Sequence, residues 1–80
     1  MSTWKHINTI GDGVKFKING INVWDHEWIS TGEKIIVNDP LYHQEYTIEV
    51  YEISTKKKHA KFAAGEFSNG IWGFYTETKS

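Results

Sequence analysis

Two Asn-Gly dipeptides, Asn19-Gly20 and Asn69-Gly70, each stand between runs in which β-branched and aromatic residues alternate with others. A two-residue hairpin turn of type I′ needs positive φ at both central positions, and Asn and Gly tolerate it. Alternation with period two marks a strand with one buried face. No stretch sustains an apolar period of 3.6, so the chain is expected to be all-β.

The stretch "VKFKINGINVW" (14–24) is the clearest case. A turn at Asn19-Gly20 pairs Ile18 with Ile21, Lys17 with Asn22, Phe16 with Val23 and Lys15 with Trp24. Val14, Phe16, Ile18, Ile21 and Val23 then share a buried face. Lys15, Lys17, Asn22 and Trp24 share a solvated one, with Trp24 and Lys15 as a cation–π pair. A second hairpin joins "EYTIEVYEI" to "HAKFAAGEF" across "STKKK", placing Glu52 opposite Lys61 and Tyr51 opposite Phe62. Both are favourable cross-strand pairs. A third returns through Asn69-Gly70 and pairs Phe67 with Trp72, Gly65 with Phe74 and Ala64 with Tyr75.

Because side chains alternate, these registers sort the rings into two sets. Ile48, Val50, Ala63, Gly65, Phe67, Trp72 and Phe74 form a core face. Glu49, Tyr51, Ile53, Phe62, Ala64, Glu66, Gly73, Tyr75 and Glu77 form the other. A bulge at Gly65 or Gly73 would exchange part of these assignments. "WKHINTI" and "EKIIV" supply further strands, and "NDPLYHQEY" is an ordered loop in which Leu41 or Tyr42 packs back as an anchor. Residues 1–80 are thus expected to form a single small β domain of about six strands with no substantial helix. The architecture is a strongly bent antiparallel meander or barrel. An SH3-like barrel is favoured. An OB-like barrel ranks second, because it usually carries a helix between its middle strands and no candidate is visible. The segment "GEKIIVNDPLYHQEYTIEVYEI" resembles a strand–turn–strand of small barrels in outline and carries no diagnostic motif.

Composition narrows the function classes. The chain has no cysteine, so neither a disulfide nor a Cys-based zinc site is available. Four Trp, four Tyr and four Phe must supply much of the core. Nine basic against ten acidic residues, a net charge of −1, is a poor match for a phosphate-coating protein. Every basic residue is Lys, which also argues against base-specific DNA reading by Arg. No apolar run is long enough to cross a membrane or to act as a secretory signal, so no membrane partner is expected and the expected setting is a bacterial cytoplasm.

Three places attract chemistry. "WDHEW" (24–28) holds Asp25, His26 and Glu27, types that serve as metal ligands or acid/base groups, but no spacing matches a zinc signature. Alternation on a strand would turn His26 away from its neighbours. No nucleophile elbow, phosphate loop or dinucleotide fingerprint is present. No catalytic residue, metal or cofactor is therefore assigned. Lys56, Lys57, Lys58 and Lys61, with His59, form a basic cluster at a hairpin tip, read either as a phosphodiester grip or as a solvated turn that discourages aggregation. Tyr51, Phe62 and Tyr75, beside Glu49, Glu66 and Glu77, form an aromatic and acidic face suited to a partner or to sugar stacking, unless another layer covers it. The expected function is a non-catalytic binding or interaction module that engages a protein or peptide through that face, with Lys56–Lys58 and Trp24 beside it. Homodimerisation through the same face is an equivalent reading. Single-stranded nucleic-acid binding is the alternative, and a small metal-dependent or hydrolytic enzyme at Asp25, His26 and Glu27 ranks third.

Overall fold

A computed structural model describes residues 2–40 and 42–79. The chain is all-β, with strands β1 (Ser2–Gly11), β2 (Lys17–Ile18), β3 (Ile21–Asn22), β4 (Ile29–Asn38), β5 (Glu45–Ser54), β6 (His59–Ser68) and β7 (Ile71–Lys79). A 3-10 turn, Val23–Asp25, follows β3. Five strands make one antiparallel sheet in the order β1-β7-β6-β5-β4, and β2 and β3 form a separate ribbon. The expected meander is present, but the sheet does not close into a barrel: β1 and β4 are its two edges.

The first hairpin has the expected turn. Asn19 and Gly20 both have positive φ, and Lys17 faces Asn22 while Ile18 faces Ile21. The ribbon is shorter than expected, because Asn22 accepts a hydrogen bond from the Trp24 amide and caps the 3-10 turn. The turn redirects Trp24. It leaves the solvated face, abandons the expected pairing with Lys15, and packs edge-on against Phe74 and Trp72. Val14, expected on the buried face, lies before β2 and is half exposed.

The second hairpin is as expected, with Tyr51 opposite Phe62 and Glu52 opposite Lys61. The third is displaced by one residue. Only Gly70 of Asn69-Gly70 has positive φ, and Phe67 is left over as a bulge between the pairs Glu66–Trp72 and Ser68–Ile71. Ala64 therefore faces Phe74, and Ala63 faces Tyr75. A slip of one residue turns every side chain to the opposite face, so the rings of β7 change sides. Phe74 and Trp72 join Phe62, and Tyr75 joins Phe67.

Two cores result. The capped face of the sheet, carrying Ile53, Ala60, Phe62, Ala64 and Phe74, is covered by Ile18 and Ile21 of the ribbon and by Val23. Trp28 sits in this layer, with rings of Phe62, Phe74, Trp72 and Tyr51 around it, and its indole N–H donates to the Val23 carbonyl at 2.6 Å. The opposite face gathers Val37, Ile48, Val50, Ala63 and Tyr75, flanked by Trp4, Ile35, Tyr46 and Phe67. Trp4, His6, Val37 and Tyr75 line a cleft there, between the two edge strands. Asp39 anchors the loop after β4, accepting from the Tyr42 amide and from the Tyr75 hydroxyl. Tyr42 lies edge-on to Phe67, so it does pack back as expected; Leu41, its alternative, is outside the described residues.

Candidate lysine cleft

The ribbon turn and the β5–β6 loop are locked together by short-range chemistry on each side. Within the loop, Thr55 Oγ1 accepts from the Lys58 amide at 2.9 Å and from the Lys57 amide at 3.4 Å. The Thr55 amide donates to the Lys58 carbonyl at 2.8 Å. A short hydroxyl residue bonding backbone two and three positions on fixes a tight turn. Across the gap, Asn19 Nδ2 donates to the His59 carbonyl at 2.7 Å. Gly20 lets the turn approach closely: a Cβ there would sit 2.6 Å from Lys58 Nζ, and φ at this position is +79°.

Docking of the two turns leaves a concave surface of about 480 Å³ between them. One wall holds Lys17 and Ile21, continuing to Asp25 and His26; the other holds Lys56, Lys57 and Lys58. None of the four lysines has an ion-pair partner among the described residues. The contrast is Lys61, which lies 3.6 Å from Glu77 and 4.0 Å from Glu33. His59, next to the loop, is engaged with Glu52 at 2.6 Å. The polar groups of the walls that already have work are the Asn22 side chain and Thr55. Lys17, Asp25, His26, Lys56, Lys57 and Lys58 are exposed residues.

The expected aromatic face does not assemble. Phe62 is 0% exposed and Tyr75 3% exposed, and they lie on opposite faces of the sheet. The ribbon covers the first, and the Phe67 bulge carries the second to the other core. Tyr51 is half-buried against Trp28, and its hydroxyl pKa is raised by burial and then by the Glu49 charge. Glu49 is half-buried beside it, opposite Ala64. Glu66 is exposed and accepts from the Gly70 amide, so it serves the third turn. Trp24 belongs to the ring cluster described above.

Of the expected site residues, Lys56, Lys57 and Lys58 are therefore the ones gathered at an open surface. The structure also unites them with Asp25 and His26, which sequence reading treated as a separate place. Asp25, His26 and Glu27 are all exposed, and the described residues contain no group of three His, Asp or Glu arranged to hold a metal. Lys17 was legible only as a solvated hairpin position, because its role depends on a contact made across 40 residues of chain.

Fold and site together define a small open β module with a cationic cleft. Comparison with protein-family models, with curated proteins and with solved structures finds no match for the chain.

Proposed function

We propose that the chain is a non-catalytic binding module, SH3-like in the curl of its sheet, whose working surface is the lysine cleft and whose partner is an anionic segment of another molecule. One observation carries the reading. Lys17, Lys56, Lys57 and Lys58 converge from two elements onto one concave surface with no carboxylate paired to any of them among the described residues. Gathering unpaired like charges is unfavourable for the isolated fold and useful for capturing an opposite charge. The net charge of −1 is no obstacle, since the distribution matters at the range of contact.

A protein or peptide partner is favoured over single-stranded nucleic acid. The nucleic-acid reading keeps its lysines but loses its stacking rings, because Phe62 is buried and Tyr51 is packed under Trp28. An amide-resolved NMR titration with sodium tripolyphosphate at low salt tests the cleft as an anion site. Shifts should concentrate at Gly20, Ile21, Asp25 and Lys56–Lys58, and should disappear in the Lys56→Gln/Lys57→Gln/Lys58→Gln variant. Shifts spread evenly over the nine lysines, or none at all, would overturn the reading.

A further inference from the structure

We infer that the occupant of the lysine cleft is an extended acidic peptide, with carboxylates on successive residues reaching opposite walls. The inference rests on the anion-binding reading above and adds the chemical class of the partner.

The cleft is two-walled, and its charges are unequal. The loop wall carries Lys56, Lys57 and Lys58; the ribbon wall carries Lys17 together with Asp25. In an extended chain, neighbouring side chains point to opposite sides and same-side residues recur about every 6.8 Å. A run of three acidic residues would therefore send two carboxylates to the loop wall and the middle one to Lys17. The space agrees. An extended residue takes roughly 3.4 × 4.8 × 10 Å, so a cleft of about 480 Å³ holds about three.

Asp25 distinguishes a peptide from a phosphodiester. A sugar-phosphate chain brings charge at every unit and few donors, so a carboxylate in the wall only repels it. A peptide brings a backbone N–H at nearly every residue, and Asp25 is an exposed acceptor on that wall with no hydrogen-bond partner among the described residues. The other lining groups agree. Ile21 supplies apolar surface for the peptide Cα and methylenes, and no Phe, Tyr or Trp is among the lining residues to stack on a base.

The test is fluorescence anisotropy at low salt with three probes of matched length: labelled octa-glutamate, octa-glutamine and an oligothymidylate of eight nucleotides. Octa-glutamate should bind at least about tenfold tighter than the oligothymidylate, and octa-glutamine not at all; tenfold corresponds to about 1.4 kcal/mol. In Asp25→Ala the oligothymidylate should tighten, because repulsion is removed, while the peptide gains less or weakens, so the preference shrinks several-fold. Lys17→Gln should weaken the peptide even with the loop lysines intact. Equal binding of the two anions, or preference for the oligothymidylate, overturns the peptide inference and leaves the anion site standing. Failure of both anions to bind overturns the two together.

Discussion

Tyr75 donates its hydroxyl to Asp39 at 3.1 Å, and both residues are sealed from solvent. A buried carboxylate needs its donors, so Tyr75→Phe should cost about 1–3 kcal/mol, measured by denaturant unfolding at neutral pH. The same contact sets a pH dependence. Burial first, then the hydrogen bond to Asp39 and its negative charge, raise the Tyr75 pKa above the ordinary 10.0. An acid whose folded pKa is raised stabilises the fold below its unfolded pKa, and that contribution is lost as pH climbs toward the folded value. Stability should therefore fall as pH rises beyond about 10. The decline should be shallower in Tyr75→Phe, which has no hydroxyl to ionise. Some slope should persist, because Tyr51 is shifted in the same direction. An unchanged alkaline slope in the variant would remove Tyr75 as its source.

At the scale of elements, the Phe67 bulge decides which rings share a core. Its ring stacks on Tyr46 with centroids 4.1 Å apart and lies where a Gly73 side chain would be. Gly73→Ala would drive a methyl into that ring and should cost about 1–3 kcal/mol. In a Phe67→Ala background the same change should cost much less, and a double-mutant cycle reads the difference as coupling of roughly 0.5–3 kcal/mol. Additive costs would mean that Phe67 and Gly73 do not share the space. This bulge also marks where sequence reading stopped. The first two registers were legible because their determinants are local: a turn with positive φ at Asn19 and Gly20, and complementary pairs such as Glu52 with Lys61. The third was not, because Asn69-Gly70 permits more than one turn. The choice is made by Tyr46, Gly65 and Gly73, two of which lie in other strands or beyond the turn. The same logic hid the first four residues of β4, where Gly32, at φ +86°, interrupts the pairing with β5 between Ser30 and Lys34.

For the whole molecule, an open sheet means two edges, and each is blunted. β1 has an irregularity between His6 and Asn8, and β4 has the one between Ser30 and Lys34. Lys5 and Lys34 are exposed on these strands. Bulges and lysines are common devices against edge-to-edge pairing. Substituting Lys5→Val and Lys34→Val together should make the protein self-associate at lower concentration than the parent, as followed by sedimentation velocity. The exposed Ile36 on β4 would then have apolar neighbours. An unchanged association profile would show that the bulges alone suffice. The candidate site belongs to this scale too. Its lysine loop was visible in sequence as "KKK", but a cleft needs a second wall, and that wall arrives only when the ribbon docks on the sheet through Ile18, Ile21 and Val23.

The pairing of β1 with β7 puts Thr3 opposite Thr78, so the first and last strands run side by side in opposite directions. Tension applied at Ser2 and Lys79 would therefore not shear the sheet as a block. It would load the rungs between these strands singly, starting at the free end, with each rung giving up about 1 kcal/mol before the next takes the strain. Pulled this way the domain should yield gradually at low force. Pulled instead through the ribbon and β4, it should resist until the Trp28 layer gives way at once.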